Sequence, residues 1–193
     1  MRTQIAILAA TLSMLVPARA SQAQRPNSRE GVNVSFGFGG GTAGIGCDGC
    51  DRNRQGGTLF YVNVGGTLTR RLTLGGELNG FGYSSNDEDL AIASLMVVAH
   101  FYPEPASGFF LTGGAGLTST SITNHLDRTD VSATGVGLAA GLGYDVRLGR
   151  NFSLTPYAQY VKGFSGTVSY NGVNSPGEMN PDYVQVGLGF TWH

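Results

Sequence analysis

From Gly31 onward, apolar and small polar residues alternate along the chain in stretch after stretch. The final stretch shows it plainly: Val184, Val186, Leu188, Phe190 and Trp192 fall on one side, Gln185, Gly187, Gly189 and Thr191 on the other. A period of two belongs to a β-strand with one apolar face. The same pattern predicts eight strands, over residues 31–40, 58–69, 72–84, 90–102, 108–122, 135–148, 152–164 and 183–193. Pro156, inside the seventh, cannot donate to a ladder, so a bulge or local irregularity is expected there.

The intervening segments alternate in length. Residues 69–72, 103–107 and 149–151 are tight turns, whereas 42–57, 123–131 and 165–181 are long, and 85–89 is shorter but strongly polar. Membrane barrels have short periplasmic turns and longer extracellular loops. An even strand count with both termini periplasmic puts every long loop outside. Each run also reaches the roughly 9–11 residues that a tilted strand needs to cross a bilayer.

Alternation alone does not say whether the apolar face points inward, as in a soluble barrel, or outward into lipid. Composition decides. Charged residues make up 13% of the chain, against about 25% in ordinary soluble domains. The 31 glycines far exceed the usual share of about 7%. The polar face is Gly, Ser, Thr, Asn and Ala rather than Lys and Glu, which suits the crowded inside of a narrow cylinder. Aromatics gather toward strand ends, at Phe36, Phe38, Phe60, Phe81, Phe101, Phe109, Tyr144, Phe152, Tyr160, Phe190 and Trp192, as interfacial girdles do. The reading is an all-β, eight-stranded antiparallel up-and-down transmembrane β-barrel with a lumen of Gly, Thr and Asn.

The N-terminus precedes the fold. Arg2, an apolar run from Ile5 to Val16 and the small-x-small sites ending at Ala20 and Ala23 form a signal peptide over residues 1–23, with cleavage after Ala20 or Ala23. The run is shorter than a spanning helix requires. Residues 24–193 are then one barrel domain. With 12 Lys+Arg against 13 Asp+Glu, nothing suggests nucleic acid or an acidic substrate.

Strand rhythm, the stretch from Gly141 to Tyr157 (GLGYDVRLGRNFSLTPY) and the terminal strand together resemble the small outer-membrane barrels of the OmpA-barrel and OmpX type. The resemblance covers Gly31 to His193. It implies a bacterial outer-membrane location and a monomer without cofactor. It also implies partnership with lipopolysaccharide, the barrel-assembly machinery and periplasmic chaperones. In that family the terminal strand is the assembly signal, here Val184, Val186, Leu188, Phe190 and Trp192, with the phase displaced by one because His193 follows the last aromatic. The function expected is non-enzymatic, structural or surface-interacting through the extracellular loops. A narrow channel and a lipid-A-modifying enzyme are the alternatives.

Cys47 and Cys50 lie in the first long loop. Four ligands are normal for structural zinc, and no βαβ setting supports a redox motif, so a disulfide in an oxidising compartment is expected. Glu77, His100, Asp145 and Arg147 are predicted to point into the lumen's periplasmic half. A buried carboxylate needs a cation or several donors, so Glu77 or Asp145 is expected to pair with Arg147. His125 with Ser119, Ser121, Asp127 and Asp130 superficially supplies a catalytic set, but Ser and Asp are what exposed loops contain. The acidic run Asn86-Asp-Glu-Asp89 is expected to be a solvated loop tip.

Overall fold

The structure, a computed structural model, describes residues 31–46, 54–126 and 129–193. The signal peptide, Cys47, Cys50 and Asp127 lie outside the described residues. The strands are β1 (Val32–Gly46), β2 (Gln55–Thr69), β3 (Leu72–Ser84), β4 (Glu88–Phe101), β5 (Phe109–Asn124), β6 (Thr129–Tyr144), β7 (Val146–Arg147), β8 (Phe152–Tyr170) and β9 (Val173–Trp192). Sequence neighbours pair antiparallel, β1 pairs with β9, and β6 pairs with β8 to close the sheet. The two-residue β7 continues the line of β6 along β8, so the wall has eight staves.

Closure follows a fixed stagger. A row of paired residues runs Gly44, Asp182, Lys162, Leu138, Ala115, Val97, Gly76, Val64 and returns to β1 at Val34, ten residues from its start. Eight strands with that shear tilt by about 40° to the barrel axis. On the outside the side chains between the two rims are apolar and exposed, among them Phe38, Phe60, Leu95, Leu117, Leu138, Val186 and Leu188. Together they form the apolar band, about 25 Å tall in membrane barrels, that faces lipid. Phe190 lies between Phe36 and Phe152, with ring centroids 5.5 and 5.7 Å away, as part of the periplasmic girdle.

Two features depart from the sequence reading, while the irregularity expected at Pro156 is present. The strands run further at the extracellular end than the alternation predicts. Most of the expected loop over 165–181 is a continuous hairpin of β8 and β9, turned by Asn171 (φ 47°) and Gly172 (φ 82°). Two successive left-handed residues make the tight turn whose twist matches that of paired strands, and Asn-Gly is its preferred sequence. At Pro156 the ladder to β9 holds register. The irregularity is instead a gap on the other side, between β6 and β7, where Pro156 has no N–H to give. The wall's register does shift near Ser165, between β6 and β8 and again between β8 and β9. The Ser165 hydroxyl donates to the Thr134 and Thr167 carbonyls there, at 3.2 and 2.9 Å.

The second departure concerns the interior. Its periplasmic part is polar, as expected, but the extracellular part is apolar: Leu59, Phe81, Leu90, Ile92 and Val161 form a buried core there with Tyr183. Ala133, Val168 and Met179 continue it upward. Phe81 therefore belongs to no girdle. It shares the parity of Glu77 and Asn79 and stacks on Tyr183 inside.

Inward glycines make room where strands β1 and β9 face each other across Gly39 and Gly187. A Cβ on Gly187 would sit 2.3 Å from the Phe38 carbonyl oxygen, whereas one on outward-facing Gly113 would meet nothing within 4 Å. Gly187→Ala is expected to cost about 1–3 kcal/mol in urea unfolding from lipid vesicles, and Gly113→Ala to leave stability unchanged. Equal effects would refute the packing account.

Candidate functional site: a cross-braced lumen beneath an acidic rim

Glu77 stands on β3 with its carboxylate buried. It accepts hydrogen bonds from the side-chain amides of Asn63 (3.3 Å), Asn79 (2.9 Å) and Gln159 (3.0 Å). Gln185 donates in turn to Asn79 at 3.1 Å and to the Gln159 oxygen. β3 and β8 are four staves apart in either direction, so the Gln159–Glu77 bond crosses the full width of the barrel. A second bond does the same slightly higher, from the Tyr183 hydroxyl on β9 to Ser94 on β4, at 3.3 Å. Side chains therefore meet across the axis at both levels.

Below this brace, Asp145 follows the end of β6 and forms a separate cluster. Tyr102 donates to it at 3.1 Å and Thr155 at 2.8 Å, and Thr155 continues through Thr191 to Ser35. Between the two carboxylates lies a cavity of about 20 Å³ lined by Tyr61, Glu77, His100, Phe110, Tyr157 and Gln159. That is room for roughly one water molecule. The His100 Nε2 and the Tyr157 hydroxyl on its wall have no hydrogen-bond partner among the described residues, and they are the groups such a water would bond. The His100 ring is held flat against Phe110, centroids 4.9 Å apart.

The extracellular rim carries Asp87, Glu88, Asp89, Asp130, Glu178 and Asp182, against the cations Arg54 and Lys162 among the described residues. Its polar contacts staple neighbouring strands. Asp89 accepts from Ser84 at 2.5 Å and lies 3.0 Å from His125 Nε2. The Ser84 hydroxyl foremost, and then His125, hold the Asp89 carboxyl below its ordinary range. Asn171 caps the Asp130 N–H at 2.9 Å.

A closed wall greasy outside, polar and cross-braced inside, is the architecture of a lipid-embedded barrel. The chain belongs to the outer membrane protein beta-barrel domain family. That family matches residues 6–193, and it places the barrel in a bacterial outer membrane. Among solved structures, it is similar to Ail, the attachment invasion locus protein of Yersinia pestis. The identity is 16% and the TM-score 0.59, over 84% of this chain and 99% of that one. It is also similar to Neisserial surface protein A at 16% identity and TM-score 0.54, over 84% and 99% of the two chains. OprG from Pseudomonas aeruginosa is similar at 13% and 0.50, over 88% and 100%. Such likeness speaks for the fold alone. No curated protein matches the sequence.

Within this family barrel, Glu77 and His100 line the same small cavity, while Asp145 accepts from Tyr102 and Thr155. Glu77 is met by amides, and no cation reaches it among the described residues, so the pairing of Arg147 expected with Glu77 or Asp145 does not fall on Glu77. The Arg147 Nη1 donates to the Arg150 carbonyl in its own turn, at 2.9 Å. Alternation placed Glu77 inside but carried no information about Gln159, which lies 82 residues away. In the terminal strand, Val184, Val186, Leu188 and Trp192 face outward, and the His193 ring reaches Ser153 at 3.1 Å.

Among the described residues, the His125 group is not arranged as a nucleophilic triad. There the imidazole stands between hydroxyl and carboxylate, whereas here the Asp89 carboxylate stands between Ser84 and His125. Ser119 is engaged elsewhere, accepting from Thr134 at 3.3 Å on the outer wall.

Two outcomes follow. Glu77→Gln puts an amide among three amide donors and is expected to destabilise the barrel by about 2–3 kcal/mol in urea unfolding. A change within error would show that the brace is dispensable. At the rim, NMR titration of the Asp89 carboxyl should give a midpoint that rises in Ser84→Ala and also in His125→Ala. A midpoint unmoved in Ser84→Ala would contradict the hydroxyl's part in holding it low.

Proposed function

We propose that the protein is a non-enzymatic outer-membrane barrel that acts as a surface-interaction platform. The sealed lumen presents strand extensions and their hairpins outside the membrane. The observation that supports this reading most is the Glu77–Gln159 bond across the barrel axis. It supports a plugged lumen, with the extracellular end as the surface through which the protein meets its surroundings. The Asp-centred order of Ser84, Asp89 and His125 supports the non-enzymatic side of the reading.

Ail has been described in complex with the heparin analogue sucrose octasulfate. Among the described residues of the rim here, carboxylates outnumber cations, so a polyanion is disfavoured. A neutral or basic protein surface is the partner that its charge fits. The tips at 42–57 and 165–181 are the carriers. Leu126, Tyr170 and Val173, exposed at the extracellular end, add apolar contact.

The protein in lipid nanodiscs is expected to bind a surface coated with a basic protein in preference to one coated with heparin. Trimming both tips should abolish that preference, while the unboiled protein still migrates apart from the boiled form on detergent gels. Binding that survives trimming, or that favours heparin, would contradict the reading.

A further inference from the structure

The small cavity beside Glu77 is surrounded by hydrogen-bond acceptors and aromatic rings. Glu77 is buried, and no cation among the described residues reaches its carboxylate. A carboxylate has about four acceptor places. Oε1 takes the amides of Asn79 and Gln159, and Oε2 takes that of Asn63 alone, at 3.3 Å. One place on Oε2 is left. Two more polar atoms on the cavity wall, the His100 Nε2 and the Tyr157 hydroxyl, are buried and have no hydrogen-bond partner among the described residues. A neutral imidazole protonated on Nδ1 presents a lone pair at Nε2, and a phenol oxygen accepts as well as donates.

Two other lining side chains, Tyr61 and Phe110, are aromatic, and the backbone is cut away to seat them. Tyr61 lies over Gly37 and Gly189, where a Cβ would strike its ring or its hydroxyl. Phe110 lies over Gly143, where a Cβ would strike the ring. Tyr61 meets Tyr157 edge-on with centroids 4.8 Å apart, and Phe110 holds His100 nearly parallel at 4.9 Å. Each ring on this wall is thus fixed by a neighbour.

A buried negative charge, unmet acceptors and aromatic rings around a space of about 20 Å³ suit a small cation that donates hydrogen bonds. Ammonium is such an ion. It is close to water in size, carries four N–H donors and is drawn to ring faces. Its lost hydration is offset by the Glu77 charge and by acceptors for its N–H groups. Hard metal ions need six or more oxygens, and no third metal-ligating side chain joins Glu77 and His100 among the described residues. We propose that the cavity is a binding site for one ammonium ion, held by Glu77 Oε2, His100 Nε2 and the Tyr157 oxygen against the Tyr61 and Phe110 rings. The ion enters from the periplasmic end, because the brace and the apolar core fill the lumen above. Nothing in this site depends on what the extracellular hairpins bind.

The protein in lipid nanodiscs is titrated at neutral pH with isotope-labelled ammonium chloride, replacing sodium chloride at constant ionic strength. NMR follows the His100 ring nitrogens and the ammonium protons. The Nε2 resonance should move saturably, and bound ammonium should give a proton signal with cross-relaxation to the Tyr61 and Phe110 rings. Methylammonium, whose methyl group exceeds the cavity, should do neither. Potassium has no proton to give Nε2, so its half-saturating concentration should be higher. Tyr157→Phe keeps the ring and removes one acceptor, and should raise the half-saturating ammonium concentration roughly tenfold. His100→Phe keeps the contact with Phe110 and should abolish the bound signal. Both variants leave the Glu77 amides in place, and migration of the unboiled protein on detergent gels verifies that they fold. A His100 ring carrying protons on both nitrogens in ammonium-free buffer would overturn the site, since Nε2 would then have no lone pair to offer. So would an equal response to methylammonium, a bound signal that survives His100→Phe, or a cavity signal from water alone. Equal potency of potassium would overturn the assignment to ammonium.

Discussion

One hydrogen bond, from the Gln159 amide to the Glu77 carboxylate, joins strands on opposite sides of the barrel. A carboxylate at that depth needs partners of its own, since it has neither bulk water nor a cation beside it. It obtains them by drawing amides from β2, β3 and β8 to a single point, and Gln185 from β9 ties those amides together. Half of the wall is thereby fastened through its centre. Amide partners keep the charge satisfied while filling the lumen with neutral, bulky groups, which a single guanidinium would not do.

The stagger of ten residues sets the conditions for this arrangement. In lipid every backbone donor needs an internal acceptor, so the sheet has to close. With eight strands, closure leaves a bore that side chains can fill. The same geometry divides the interior lengthwise. Polar residues fill the part nearest the periplasm, and the apolar residues from Leu59 to Met179 fill the part that continues toward the hairpins. The upper core explains why the extended strands hold together beyond the membrane, where water competes for their backbone bonds. It also supports the wall near Arg54, Asp182 and Lys162, where lipid ends and water begins.

Much of this was legible in the chain. The dyad pattern identified eight strands, and low charge on the polar face turned the barrel inside out. The tight turns supplied the orientation. Three things were hidden for definite reasons. The ends of β8 and β9 carry Ser, Asn, Pro and Gly, residues typical of loops, and only their pairing through Asn171-Gly172 makes them strand. Phe81 resembles a girdle aromatic in composition, but its parity with Glu77 turns it inward. The partners of Glu77 depend on the shear, which relates strands on opposite sides of the wall and leaves no trace in the alternation of any one strand.

The central claim is that the lumen is closed by side chains that meet across its axis. Single-channel recording of the refolded protein in planar bilayers tests it most directly. The account predicts no steady unitary conductance in the native protein. Well-resolved, stable openings whose size changes in Glu77→Gln would contradict it and make the lumen, rather than the rim, the working surface of the protein.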